Sequence, residues 1–222
     1  MVTTPDRRWG TAPRPALRDA SVTAMRRRHL RGVLAIEQLV YPKPWSPALF
    51  VAEMAQPDTR RYLVALDEQR RGGVLRSLNV VGYAGVMVAV GEAHITTVAT
   101  HPHHHRRKIA SRLLVDLLRA AIAMGAEAAT LEVRVNNRGA QRLYGAFGFA
   151  PVGVRPKYYA ETNEDALIMW AYDIQSQAYE QTLATQEKRL TRPGGDSGAG
   201  DLHVPWVQDR IGLPPDDDSW KV

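Results

Sequence analysis

Cysteine is absent from the 222-residue chain. Its absence excludes disulfides, thiolate metal sites and covalent catalysis through a cysteine nucleophile. Long apolar runs are missing too, since no window approaches the roughly 18 consecutive apolar residues that a membrane span requires. The basic start of the chain, with Pro5, Pro13 and Pro15, lacks the apolar region of a signal peptide. We therefore expect a cytoplasmic protein with no membrane partner.

Charge is unevenly distributed along the chain, whose formal net charge is +6. Residues 1–31 hold eight arginines against two aspartates, and residues 1–19 show no apolar periodicity. We expect residues 1–19 to form a basic flexible arm, which could contact nucleic acid or the ribosome. An arginine-rich arm without such a partner is the alternative. Residues 176–222 are polar and rich in Pro and Gly, and are predicted to form a flexible tail.

Strand-like and helix-like periodicities alternate between residues 20 and 175, which predicts a single α/β domain. The predicted strands cover 22–25, 61–66, 79–90, 94–100, 128–135 and 166–174. The predicted helices cover 30–40, 47–54, 106–124 and 138–147. Ser46 is a good N-cap for the second helix, and Pro47 suits its first position.

A basic loop leads into the third predicted helix at residues 106–111. Backbone N–H groups in the first turn of a helix have no partner within it, and the helix dipole is positive there. This combination can hold a pyrophosphate group. A solvated basic helix start is the alternative interpretation.

An acidic residue and a tyrosine follow on the next predicted strand and helix. Alternation in the strand places Leu131 and Val133 on one side and Glu132 on the other. Tyr144 comes twelve positions after Glu132 and could meet it at one reacting centre.

Several short segments, taken in order, resemble one known family. They are AIEQ at 35–38, PWS at 44–46, AHIT at 93–96, VATHP at 98–102, LEVR at 131–134, Asn137, LY at 143–144, FGF at 147–149, KYY at 157–159 and EDA at 164–166. Their order and spacing resemble the GNAT superfamily of N-acetyltransferases. The resemblance is closer still to its RimI branch, which acetylates the N-terminal alanine of small-subunit ribosomal protein eighteen.

The resemblance implies a GNAT fold, with one mixed central sheet flanked by helices, and acetyl-CoA as cosubstrate. It also implies that Glu132 is the general base and Tyr144 the general acid, with direct attack of the amine on the thioester and no metal. The residues implied to bind the cofactor are Val98, Ala99 and Thr100 at the pantetheine arm, Arg106, Arg107, Lys108, Ile109, Ala110 and Ser111 at the pyrophosphate, and Asn137 near the thioester.

One position of the loop departs from the family pattern, because Lys108 stands where the first glycine is usual. We expect cofactor binding to survive, since helical backbone angles do not require glycine. Lys108 would then add a phosphate contact of its own.

The acceptor side is predicted to be an aromatic groove. The resemblance implies that Trp45, Tyr158 and Tyr159 line it, and that Glu37 or Asp165 holds the amine or a basic side chain. In the alternative interpretation, Trp45 and one tyrosine simply fill the core. Histidines at 101 and 103–105 lie in a loop with no carboxylate at a fitting spacing, so we expect no metal there, and we expect His94 to be a packed residue.

The predicted reaction is acetylation of a protein N-terminus. Two alternatives remain at this point: a GNAT enzyme that acts on a lysine or a small-molecule amine, and a non-catalytic module of the same shape that binds the ribosome or RNA.

Overall fold

The computed structural model describes residues 20–67 and 79–191. Three ranges lie outside the described residues. They are the predicted basic arm at 1–19, the residues between the second and third predicted strands at 68–78, and the end of the predicted tail at 192–222. Within the described ranges, no helix has the length and apolar character needed to cross a membrane.

One seven-stranded sheet, in the order β1-β2-β3-β4-β5-β7-β6, forms the centre of the fold. Its strands are β1 (Ala20–Ala24), β2 (Arg60–Asp67), β3 (Val80–Ala89), β4 (Glu92–Thr100), β5 (Ala128–Arg134), β6 (Ala150–Tyr159) and β7 (Glu164–Ala171). The helices are α1 (Leu30–Val40), α2 (Pro47–Met54), α3 (Ile109–Ala123), α4 (Arg138–Ala146) and α5 (Gln177–Thr191). The predicted α/β class, with a single mixed sheet flanked by helices, is confirmed.

Alternating side chains of the strands bury two apolar clusters on opposite faces of the sheet. On β2, Leu63 and Ala65 belong to the cluster under α3, whereas Tyr62 and Val64 belong to the cluster under α1 and α2. The side chain of Ser46 accepts a hydrogen bond from Leu49 N at 3.2 Å and caps α2, as predicted. The buried faces of the helices thus cover both sides of the sheet.

The parallel contact between β4 and β5 is short. It begins where Glu92 lies beside Ala128, and it ends where His94 lies beside Thr130. Beyond His94 the two strands separate, while β4 continues its antiparallel pairing with β3 as far as Thr100. The sheet therefore opens into a cleft between β4 and β5.

Two elements were not predicted from the sequence. Strand β6 lies at the edge of the sheet, paired with β7. Helix α5 lies in the segment that was predicted to be tail, yet its Leu183 is fully buried and Tyr179 nearly so. Arg119 of α3 pairs with Glu180 and Glu187 of α5, at 2.9 Å each. The folded region therefore extends through residue 191.

Gly85 of β3 gives a direct test of packing on the α1 side of the sheet. A Cβ atom at this position would lie 2.2 Å from Cε1 of the buried Tyr62 ring. Since overpacking of a core costs about 1–3 kcal/mol, Gly85→Ala is expected to lower the free energy of unfolding by that amount in urea denaturation. Gly139→Ala is the matched control, because its Cβ would meet nothing closer than Asn137 Oδ1 at 3.8 Å. Equal stability of Gly85→Ala and wild type would contradict the packing described.

Candidate active site

Two cavities occupy the cleft where β4 and β5 separate. The first, of about 380 Å³, is lined by Glu132, His94 and a set of aromatic side chains. The second, of about 540 Å³, is lined by the basic loop and the start of α3. Both cavities are bordered by the same four residues, Val98, Asn137, Ala140 and Tyr144. The two spaces therefore meet at one wall, and a ligand in each could touch the other there.

The second cavity contains most of the residues predicted to bind a cofactor. Its lining includes Val98, Ala99, Thr100, Arg106, Lys108, Ile109, Ala110, Ser111 and Asn137. Arg107 is not part of that lining, and its Nη1 lies 2.8 Å from Nδ1 of His104. The edge of β4 that faces this cavity is the stretch beyond His94, where the pairing with β5 has ended.

The backbone of the loop differs from the prediction. Helix α3 begins at Ile109, three residues later than predicted, and both Arg106 and Lys108 have left-handed φ angles of 63° and 57°. The expectation that helical angles make glycine unnecessary at Lys108 is therefore wrong. A non-glycine residue in this conformation costs about 1–2 kcal/mol.

The side chain of Lys108 points to a partner on α5. Its Nζ donates a hydrogen bond to the carbonyl oxygen of Arg189 at 2.9 Å. This bond ties the last turn of α5 to the residue that precedes α3. The ammonium group is therefore engaged by the C-terminal end of a helix, in contrast to the predicted phosphate contact.

Glu132 lies in the first cavity and has two basic partners. His94 Nε2 is 2.9 Å from one carboxylate oxygen of Glu132, and Arg155 Nη1 is 3.1 Å from the other. The Glu132 side chain is only 9% exposed, whereas those of His94 and Arg155 are 35% and 56% exposed. Each carboxylate oxygen keeps a further lone pair that a ligand can use.

Tyr144 lies on α4 at the wall shared by the two cavities. Its ring contacts Phe149 with a centroid separation of 5.9 Å, and its side chain is almost fully buried. Burial raises the pKa of the Tyr144 hydroxyl well above its usual value, with smaller contributions from Tyr41 and Tyr159. The hydroxyl is therefore protonated at neutral pH and can donate a proton or a hydrogen bond to either cavity.

Asn137 serves the local fold as well as the cleft. Its Oδ1 accepts a hydrogen bond from Ala140 N at 3.1 Å and caps α4. The side-chain NH₂ group is then the part of Asn137 that could donate to a ligand. Asn137 borders both cavities, and its contact with the cofactor near the thioester stays a prediction.

The aromatic residues that were predicted to form an acceptor groove lie together in the first cavity. Trp45, Tyr158 and Tyr159 all belong to its lining. Trp45 also packs against Phe50 at a centroid distance of 5.3 Å, so its ring contributes to the core and to the cavity together. Burial raises the pKa of Tyr159 to about 12, which keeps its hydroxyl neutral.

The two carboxylates predicted to hold the acceptor differ in position. Glu37 lines the cavity, but its oxygens accept hydrogen bonds from Trp45 N at 2.7 Å and from the Tyr83 hydroxyl. Burial raises the pKa of the Glu37 carboxyl. Asp165 is not part of the lining, and its Oδ1 accepts a hydrogen bond from Lys157 N at 2.7 Å. In this structure Glu37 fixes the segment that carries Trp45, and Asp165 fixes the β6–β7 hairpin.

Arg134 is a residue of the site that sequence reasoning missed. Its guanidinium donates to Glu161 at 2.7 Å and to Glu164 at 2.8 Å, and it lies 3.9 Å from the ring centroid of Tyr159. These contacts join β5 to the β6–β7 hairpin and hold Tyr159 over the cavity. The sequence signal that could have identified Arg134 is its position two residues after Glu132, which places both side chains on the same face of the strand.

The histidines of the loop are engaged with each other and with the backbone. His101 Nδ1 accepts a hydrogen bond from His103 N at 3.2 Å, and His105 Nε2 lies 3.3 Å from the Thr100 carbonyl oxygen. Within residues 20–67 and 79–191, no group of three His, Cys, Asp or Glu side chains is arranged to hold a metal ion.

The chain is similar to known acetyltransferases. A family model described as the acetyltransferase (GNAT) family matches residues 30–149. A Bacillus subtilis protein, provisionally named ribosomal protein bS18-alanine N-acetyltransferase, is 32% identical over 151 residues, which are 68% of this chain and 94% of that protein. The N-alpha-acetyltransferase RimI of Mycobacterium tuberculosis is 36% identical over 140 residues, which are 61% of this chain and 80% of that protein.

A crystal structure has a similar fold. The ribosomal-protein-S18-alanine N-acetyltransferase from Escherichia coli superposes with a TM-score of 0.59 at 25% identity, over 69% of this chain and 94% of that chain. The family match spans α1 to α4 and β2 to β5, which include the cleft between β4 and β5. The protein described here therefore belongs to the GNAT family of acetyltransferases.

Proposed function

We propose that this protein transfers the acetyl group of acetyl-CoA to the N-terminal α-amine of another protein, and that the acceptor is a ribosomal protein that begins with alanine. The observation that carries the proposal is the wall shared by two cavities. One cavity has a basic, amide-rich rim and the other contains the Glu132 carboxylate, and Tyr144 borders both.

The second cavity suits coenzyme A in the charge and the hydrogen-bond donors of its lining. The N–H groups of Ile109, Ala110 and Ser111 open α3 at the positive end of its dipole, where a pyrophosphate is stabilised. Arg106 lines the same space and adds positive charge. The edge of β4 at 98–100, which lies beyond the pairing with β5, can receive the amides of a pantetheine arm in the manner of an added strand.

The first cavity suits an amine that must lose a proton before it attacks. A protein N-terminus has a pKa of about 7.7–8.0 and is mostly protonated at neutral pH. Glu132 can accept that proton, directly or through a water molecule. Acetyl-CoA supplies an activated acetyl group as a thioester. The amine nitrogen then bonds to the carbonyl carbon, the carbon–sulfur bond breaks, and Tyr144 provides the proton or hydrogen bond for the departing thiolate.

An N-terminal amine is favoured over a lysine for three reasons. A lysine amine has a pKa of about 10.4, so its neutral form is roughly 200-fold to 400-fold scarcer at neutral pH, and a carboxylate base is less suited to it. The relatives with the names bS18-alanine N-acetyltransferase and RimI act, as those names say, on an α-amine. The aromatic walls of the first cavity leave a space of about 380 Å³, which suits a short chain end.

The test is a direct one, in which the purified full-length chain is incubated with acetyl-CoA and short peptides. The peptides begin with Ala, Ser or Met, and a further peptide begins with acetyl-blocked Ala and carries an internal Lys. Mass spectrometry locates the added acetyl group. We expect acetylation of the free N-terminus, with alanine preferred, and none of the blocked peptide. Modification of the internal lysine alone would overturn the N-terminal assignment.

A further inference from the structure

His94 is the cavity-lining side chain that holds Glu132. It sits at the last parallel pair between β4 and β5, opposite Thr130, where the two strands begin to separate. From that point its Nε2 reaches the Glu132 carboxylate at 2.9 Å, and both residues line the first cavity. The position of His94 is fixed by the sheet, because its backbone is paired with Met87 of β3 on the other side.

Arg155 holds the same carboxylate with less constraint. It comes from the edge strand β6, reaches Glu132 at 3.1 Å, and has a side chain that is 56% exposed. Its guanidinium also lies 5.5 Å from the ring centroid of Tyr158, which is itself on the cavity wall. Exposed ion pairs are weak because water competes for both partners, so the contact from Arg155 constrains Glu132 less than the contact from His94 does.

We propose that His94 is a positioning residue of this enzyme, which donates its Nε2–H to Glu132 and holds that carboxylate in the orientation that receives the amine proton. The proposal rests on the proposed role of Glu132. A glutamate side chain has several rotatable bonds. The rate of proton transfer falls when the carboxylate leaves the orientation in which it can accept the amine proton. A neutral imidazole with its proton on Nε2 and an imidazolium can both provide this donor.

The test is a double-mutant cycle, measured as kcat and KM for whichever amine the wild type acetylates. His94→Ala is expected to lower kcat on the order of 10-fold to 100-fold, as misplacement of a catalytic group does, with little change in KM. His94→Gln restores most of the rate, because its side-chain amide can donate from a similar position. His94→Ala in the Glu132→Gln background causes no further loss, since His94 acts only through the carboxylate. His103→Ala, an exposed loop histidine outside the two cavities, is the control and keeps the wild-type kcat.

Three results would overturn the role of His94. They are additive losses in the double variant, no rescue by His94→Gln, or an unchanged kcat in His94→Ala. Thermal melting of each variant separates a loss of kcat from a loss of folded protein. If the wild type acetylated only lysine, the N-terminal acceptor would be rejected, but the double-mutant cycle could still be measured with the lysine substrate. If the wild type acetylated no amine, both proposals would be rejected.

Discussion

Glu132→Gln is expected to lower kcat for acetyl transfer by about 100-fold to 10,000-fold, the range that positioned proton transfer contributes. The amide keeps the size of the side chain and its place between His94 and Arg155. It cannot accept a proton at neutral pH, so the amine must lose its proton to water. Steady-state rates with a peptide acceptor and saturating acetyl-CoA measure the effect.

The loss in Glu132→Gln should appear in the chemical step and not in cofactor binding. Glu132 lines the first cavity and is not part of the lining of the second. The dissociation constant for coenzyme A, measured by calorimetry, should therefore match that of the wild type. Glu92→Gln, which removes an exposed carboxylate at the start of β4, is the control for the change of charge. If the Glu132→Gln variant kept more than a tenth of the wild-type kcat, the proposal that Glu132 is the general base would be contradicted.

Local patterns in the sequence were sufficient to predict the position of Glu132. Strand alternation placed Leu131 and Val133 on the buried side, and both are buried in the structure, while Glu132 faces the cleft. Ser46 and Pro47 likewise identified the start of α2. These predictions succeeded because each depends only on neighbours within a few positions along the chain.

Contacts between distant strands could not be predicted in this way. His94 reaches Glu132 because β4 and β5 are parallel neighbours whose register places His94 beside Thr130. Nothing within β4 itself encodes that register. The prediction that His94 is a packed residue was therefore wrong, since its side chain is 35% exposed and lines the first cavity.

The two unpredicted elements have separate causes. Strand β6 contains Pro151, Gly153 and Pro156, which weaken the signal of a strand, but proline is tolerated at the edge of a sheet. Its pairing with β7 shifts register near Pro151 and again after Arg155. Helix α5 is mostly polar, and its buried residues Tyr179, Leu183 and Leu190 are too sparse to stand out without α3 beside them.

The conformation of the loop before α3 was wrongly predicted, for a further reason. The family pattern prefers glycine at the position of Lys108, and the left-handed φ of 57° explains that preference. The hydrogen bond from Lys108 Nζ to the end of α5 is a stabilising contact that glycine would lack. Lys108 thus combines an unfavourable backbone angle with a stabilising tertiary contact. The family pattern could have indicated the backbone angle, but not the tertiary contact.

Tyr144→Phe is expected to lower kcat about 100-fold, near the lower end of the range for proton transfer, with little change in either KM. The substitution removes only the hydroxyl, and the ring can keep its contact with Phe149. The departing thiolate then lacks its donor at the wall between the two cavities. Stopped-flow or steady-state detection of free thiol measures the loss, and an unchanged melting temperature would show that the fold is intact.

The pH dependence of the wild type gives an independent check on Tyr144. Burial raises the pKa of its hydroxyl, and a raised pKa means that the neutral, proton-donating form persists to higher pH. Activity should therefore show no decline that is due to Tyr144 up to about pH 10, the usual pKa of a tyrosine. Tyr179→Phe is the matched control: among the described residues its buried hydroxyl has no hydrogen-bond partner, and it lies on α5, away from both cavities. If Tyr144→Phe were as active as Tyr179→Phe, the thiolate would be leaving without help from Tyr144, and the tyrosine would serve only to shape the wall.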